Sequence, residues 1–305
     1  MKIQILRLLF LQVFFLIIFC GSTFSLPNSG FYLPESVQEL TLRFHSHRNL
    51  IVLPVVINDS IRVNLVLDTG CRNLVLFGKK FQKLFVHEHG KKVQFSGLGS
   101  GGPVFGTVSL KNKVSIDAVL GDDIPVVIVP DKNIFAQYKN VHGVIGYDIF
   151  TKFEIELNPR QQLITFRPAF TVKPSPGYIH IPIRIEDSRP ILDSNIQLDN
   201  SMHACNLMID TGSSLGLLLK TTDLNRYDVR REEKELGLGL NGSIIGYETT
   251  ARALFLDGIA LTILPVGIIE SSWHNYASIG MGVLKDYAIV LNYCKAYVGF
   301  RKLTA

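Results

Sequence analysis

One short pattern occurs twice in this chain and constrains its fold more than any other feature: Leu65-Val66-Leu67-Asp68-Thr69-Gly70 and Leu207-Met208-Ile209-Asp210-Thr211-Gly212. In each copy an apolar run with the composition of a buried strand stops at an aspartate, and a Thr-Gly pair then allows a sharp turn. A second apolar run follows, Leu74-Val75-Leu76-Phe77 in one copy and Leu215-Gly216-Leu217-Leu218-Leu219 in the other, so each turn is held between core strands. A given tripeptide arises by chance in roughly one chain in twenty of this length. Two copies in matching apolar frames point to duplication.

Other landmarks repeat in the same order. Gly97-Leu98-Gly99-Ser100-Gly101-Gly102-Pro103-Val104-Phe105-Gly106 aligns without gaps with Gly237-Leu238-Gly239-Leu240-Asn241-Gly242-Ser243-Ile244-Ile245-Gly246. Ile145-Gly146, Leu157-Asn158 and Phe166-Arg167 return as Ile279-Gly280, Leu291-Asn292 and Phe300-Arg301. Small drifts in offset describe an internal duplication with short insertions, the largest near 189–201. Between the landmarks lie short apolar runs such as Leu50–Ile57, Ile61–Leu67 and Phe153–Asn158, separated by turn residues such as Asn58-Asp59-Ser60. The chain is therefore expected to be mainly β. Helical signals are few: a short helix within 144–150 and a charged surface helix over 221–237. The expected boundaries are a lead-in at 26–49 with one edge strand at 40–44, a first lobe at 50–168, a proline-bearing linker at 169–177 and a second lobe at 178–305.

Residues 1–25 hold Lys2 and Arg7, no acidic residue, and an apolar run from Leu8 to Phe19, followed by Cys20-Gly21-Ser22-Thr23-Phe24-Ser25. That is the layout of a secretory signal peptide, with an apolar run too short for a comfortable membrane span. Cleavage is expected near Ser22 or Ser25. The product would be exported to the periplasm, the cell envelope or the medium, with no stable membrane insertion; an uncleaved N-terminal tether is the alternative. Of the 305 residues 47% are hydrophobic, enough for one or two cores, and the formal charge of +5 falls to +3 without Lys2 and Arg7. So mild a charge implies no nucleic-acid partner, and a monomer is expected. Cys71, Cys205 and Cys294 remain, allowing at most one disulfide, with Cys205 and Cys294 as the candidate pair. His45, His47, His87 and His89 have no carboxylate or cysteine pattern to complete a metal site, so they read as loop histidines and no metal or cofactor is expected.

Two copies of one lobe pack most simply about a pseudo-twofold axis, and groups on that axis meet their own equivalents. If the axis passes the strand ends, Asp68 and Asp210 face each other. Carboxylates about 3 Å apart cannot both ionise cheaply, so they share a proton and their apparent pKa values separate. The ionised member can take a proton from water while the other donates to a carbonyl oxygen, which is what hydrolysis of an amide by water requires. The plainer alternative is that each aspartate caps a turn. A phosphate-cradling loop at 97–106 is disfavoured, because no helical pattern follows and no Lys-Ser/Thr closes the motif.

With its hydrophobic-hydrophobic-Asp-Thr-Gly pattern, glycine-rich stretch and later Ile-Gly, the chain resembles the retropepsin-like and pepsin-like aspartic peptidases over residues 50–301. It looks like a single-chain, two-repeat form, such as the aspartyl protease family proteins of bacteria. The resemblance implies two homologous retropepsin-like β-barrel lobes related by a pseudo-twofold axis, with the active site between them, and an aspartic endopeptidase acting on a peptide or protein substrate. It implies Asp68 and Asp210 as the catalytic dyad, Thr69 and Thr211 hydrogen-bonded across the lobes, and Gly70 and Gly212 giving close backbone approach. Ser213 matches the small hydroxyl residue after the glycine, from which Cys71 departs in the first lobe. Two flaps at 97–106 and 237–246 follow, with Gly97, Gly99, Gly101, Gly102, Phe105, Gly237, Gly239 and Gly242 as flap and substrate-binding residues. Ile145-Gly146 and Ile279-Gly280 would pack behind the aspartates. Trp273 and Tyr276 read as core or pocket wall, and Asp148 as a local cap. A catalytically inactive peptide-binding or envelope-structural protein on the same fold, and a metal-dependent hydrolase, are the competing functions.

Overall fold

The computed structural model describes residues 29–85, 90–130, 135, 138, 140–171, 173–198, 200–227, 232–271 and 276–304. Residues 1–25, expected to be a signal peptide, and His87, His89 and Trp273 lie outside them.

Turn chemistry and alternation build the first half. β1 (Gly30–Tyr32), β2 (Leu40–Arg43) and β3 (His45–His47) precede a hairpin of β4 (Leu50–Ile57) and β5 (Ile61–Leu67). Asn58 and Asp59 take left-handed angles in its turn, φ 49° and 60°, which short polar side chains tolerate. Then come β6 (Leu74–Phe77), α1 (Lys79–Gln82), β7 (Lys92–Phe95), β8 (Val104–Ile116), β9 (Val119–Val129) and β10 (Gly143–Ile145). These strands, without β2, form a nine-stranded sheet on the path β1-β9-β6-β10-β5-β4-β8-β7, with β3 on β4. β6 and β10 are buried on both faces, which is why they read as unbroken apolar runs. α2 (Tyr147–Phe150), β11 (Phe153–Asn158) and β12 (Leu163–Pro168) close this half.

The second half follows the same succession. β13 (Ile179–Pro182) and β14 (Arg184–Glu186) lead to the hairpin of β15 (Arg189–Leu198) and β16 (Ser201–Asp210). The insertion expected near 189–201 lengthens this hairpin: β15 and β16 have ten residues each, against eight in β4 and seven in β5. β17 (Leu217–Thr221), β18 (Lys234–Gly239), β19 (Gly242–Leu256), β20 (Ile259–Glu270) and β21 (Tyr276–Gly280) complete an eight-stranded sheet ordered β14-β15-β16-β21-β17-β20-β19-β18. α3 (Met281–Leu284), β22 (Tyr287–Asn292) and β23 (Tyr297–Lys302) end the chain.

A third sheet, β13-β23-β22-β11-β12-β2, takes strands from both halves and joins them where β11 pairs with β22. Glu154 sits fully buried on this seam, accepting from Asn292 Nδ2 (3.2 Å) and from the Tyr297 hydroxyl. One apolar cluster runs from Phe31 through Ile155 and Leu291 to Phe300 and so spans both halves. The described part of the lead-in is woven into this framework, β1 on β9 and β2 on β12, and the strand expected at 40–44 is β2.

Two expectations are corrected. The charged stretch 221–237 is not one helix: Leu224–Arg226 forms a single 3-10 turn capped by Asp223, and Lys234–Gly239 is β18. Gly237 and Gly239 weaken helix there, and pairing with β19 outweighs the propensity of the Glu/Lys run. Cys205 and Cys294 do not pair; with Cys71 they are free thiols, Cys205 against Ser194 and Cys294 donating to Thr151 O. Among the described residues no helix is long and apolar enough to cross a membrane.

Candidate active site

β5 ends just before Asp68 and β16 ends at Asp210, and each is clamped by a parallel neighbour. Leu67 pairs with Ile145 and Asp68 N donates to Ile145 O (2.9 Å); Ile209 pairs with Ile279, and Asp210 with Gly280. The two Ile-Gly dipeptides thus lie behind the aspartates, as expected. A Cβ on Gly146 would overlap the Cys71 carbonyl, so the turn closes tightly only over glycine.

Each carboxyl group then folds back on its own turn. Asp68 Oδ1 accepts from Gly70 N (2.7 Å) and Asp210 Oδ1 from Gly212 N (3.0 Å). The two turns also meet each other. A Cβ on Gly70 would lie 3.1 Å from Asp68 Oδ1 and 3.4 Å from Asp210 Oδ1, and one on Gly212 would overlap the Asp68 carboxyl group. Two carboxyl groups 142 positions apart in the chain therefore border one small space.

Two threonines hold the turns in that relation. Thr69 N donates to Thr211 Oγ1 (3.1 Å) and Thr211 N to Thr69 Oγ1 (2.9 Å). Each hydroxyl in turn donates to the opposite half, Thr69 to Ile209 O (2.6 Å) and Thr211 to Leu67 O (2.7 Å). Both side chains are fully buried, so all four groups depend on these bonds.

Burial raises the pKa of both aspartates, and the Asp68 charge raises Asp210 further. The Gly70 and Gly212 amides and the Arg189 charge oppose the rise without cancelling it. The pair consequently keeps a proton above the ordinary carboxylate range. Ser213 Oγ accepts from Leu215 N (3.2 Å), and Ser213 O from Met281 N (2.7 Å). In the first half Cys71 Sγ donates instead to Asn73 O (3.2 Å), and burial with the nearby Asp68 charge pushes the thiol up to about 12. It is a packed thiol and not a nucleophile.

The glycine-rich stretches form two hairpins, β7–β8 and β18–β19, and their tips are joined. Gly99 N donates to Asn241 Oδ1 (2.7 Å), Asn241 Nδ2 to Gly101 O (2.7 Å), and Ser100 N to Ser243 O (2.9 Å). Side chains on Gly99 or Gly101 would overlap the opposing backbone; Gly97 lies 3.0 Å from Leu240 Cβ and Gly239 lies 3.1 Å from Gly99 N by the same construction. Gly242 has φ 126°, Gly237 approaches only Leu215, and Gly102 has nothing within 4 Å. Each tip reaches across: Leu98 packs beside Leu215 and Leu236 on a cluster of the second half, and Leu240 on a cluster of the first. Phe105 is 57% exposed, because alternation along β8 turns Val104 inward.

Sequence reasoning missed Asn241, whose only signal is an asparagine where a glycine hairpin needs none, and it missed Arg189 and Lys220. Tyr276 is buried, packed with Ile191 and Met208, and Lys220 Nζ lies 4.6 Å over its ring. Met208 brings its methyl within 3.6 Å of the Gly70 Cβ position. Asp148 provides no side-chain cap; it stands in the first turn of α2. His47 lies edge-on to Tyr138 at 5.0 Å.

No curated protein matches the chain. Residues 53–149 match the family model described as aspartyl protease, and over that stretch, which carries Asp68, Thr69 and Gly70, the sequence is similar to that family.

Proposed function

We propose that the protein is an exported aspartic endopeptidase, built of two copies of one lobe about a pseudo-twofold axis, that hydrolyses peptide bonds with water activated between Asp68 and Asp210. The observation that carries this function is the meeting of two strand-end carboxyl groups beside Gly70, in a frame tied by Thr69 and Thr211. A pair holding one proton has both groups the reaction needs. The ionised carboxylate takes a proton from water as the water oxygen adds to the carbonyl carbon, and the protonated carboxyl donates to the carbonyl oxygen. The C–N bond of the resulting diol then breaks as the dyad returns a proton to the amine nitrogen. No covalent enzyme intermediate is required. The joined hairpins support a substrate laid extended beneath them, its backbone pairing with the hairpin strands. Export rests on the pattern in residues 1–25.

Digestion of a peptide library by the mature protein tests the assignment. Asp68→Asn and Asp210→Asn should each abolish cleavage while leaving the fold intact, and a statine-type transition-state mimic should inhibit the wild type. Retained cleavage in either variant contradicts the dyad, and binding without cleavage makes the protein a peptide-binding module. N-terminal sequencing of the exported form should begin near residue 23 or 26; an intact Met1 contradicts processing.

A further inference from the structure

Two walls flank the aspartates, and strand register makes them equivalent position by position. Each begins just after a two-residue left-handed turn: Arg48 and Asn49 (φ 47° and 68°) lead into Leu50, and Asp187 and Ser188 (φ 46° and 68°) lead into Arg189. Two residues on, Val52 pairs with Val66 and Ile191 with Met208. Val66 and Met208 lie beside Val144 and Ser278, which pair with Val75 and Leu218. Two residues beyond those stand Phe77 and Lys220. In the first half these positions form one apolar cluster, with Leu240 packed against it. In the second half the first and last positions are cations instead.

Both cations stay in their wall. The Arg189 side chain is 16% exposed, with one terminal nitrogen on Asp187, and Lys220 lies over Tyr276, which packs on Met208 beside the space between the aspartates. Burial and the nearby Arg189 charge lower the Lys220 pKa to about 8, with the Asp210 charge opposing.

We propose that the wall beside Asp210 is a subsite for a carboxylate side chain of the peptide substrate, recognised by Arg189 and Lys220. The proposal rests on the peptidase assignment and adds a substrate class: peptides with Asp or Glu beside the cleaved bond. A guanidinium and an ammonium held out of bulk water form charge-assisted hydrogen bonds to a carboxylate, and an amide of the same shape forfeits that charge.

The test profiles cleavage sites in a peptide library by mass spectrometry, then compares matched peptides carrying Glu or Gln at the enriched position. Wild type should favour Glu by at least about tenfold in kcat/KM. Arg189→Leu and Lys220→Phe, which install the residues of the first wall, should each reduce that ratio several-fold, and the pair should bring it near one. No Glu preference in wild type, or a ratio unchanged in both variants while only the pH profile moves, overturns the proposal and leaves the peptidase assignment standing. Calorimetry with the same peptides carrying a reduced scissile bond separates the two claims further: Glu-selective binding without any cleavage supports the subsite and refutes the peptidase, whereas equal binding of Glu and Gln refutes the subsite.

Discussion

Replacing Thr69 by valine keeps its shape and removes one oxygen. That oxygen accepts from Thr211 N and donates to Ile209 O, where no solvent can substitute. The variant orphans both groups, and each buried unsatisfied polar group costs about 1–3 kcal/mol. The expected loss is therefore roughly 2–6 kcal/mol, a large share of the stability of an ordinary domain. Thr211→Val should lose a similar amount, because it orphans Thr69 N and Leu67 O in the mirror arrangement. Urea unfolding of the purified protein measures both. Activity should fall as well, although neither threonine is asked to touch substrate, since the two aspartate turns are no longer held in register. Losses below about 0.5 kcal/mol, or one large loss beside one near zero, would refute the reciprocal tie between the halves.

Gly212→Ala drives a methyl into the Asp68 carboxyl group and should lower kcat/KM by at least about a hundredfold, whereas Gly102→Ala, with nothing within 4 Å, should leave it nearly unchanged. Asn241→Ala removes both side-chain bonds between the hairpin tips, so amide exchange over residues 97–103 should quicken about tenfold or more; unchanged protection would contradict the joint. The raised pKa values of Asp68 and Asp210 make the folded state bind more protons than the unfolded state above the ordinary carboxylate range, so their contribution falls as pH rises through the raised values. Asp210→Asn should therefore stabilise the protein by roughly 1–2 kcal/mol near pH 7.5 and give no gain near pH 4. Equal effects at both pH values would contradict the shift.

The parts of the site that were legible in the sequence are those written locally. Asp68-Thr69-Gly70 and Asp210-Thr211-Gly212 announce a strand end and a turn by residue type alone, and their duplication leads directly to Thr69 and Thr211 meeting. What depends on register between distant strands was not legible. Arg189 and Lys220 are 31 positions apart and share a wall only through β15, β16, β21 and β17. Asn241 gains its role from a hairpin 142 positions earlier. The charged stretch at 221–237 misled because edge strands and helix surfaces draw on the same Lys and Glu residues.

The most direct measurement is a carbon-13 titration of the aspartate carboxyl groups, assigned with Asp68→Asn and Asp210→Asn. Shared protonation predicts two coupled steps seen by both carboxyls, one of them well above the ordinary aspartate range, collapsing to a single step in either variant. Two independent titrations near 3.9 would mean that the carboxyl groups hold no common proton, and the hydrolytic mechanism would fall with it.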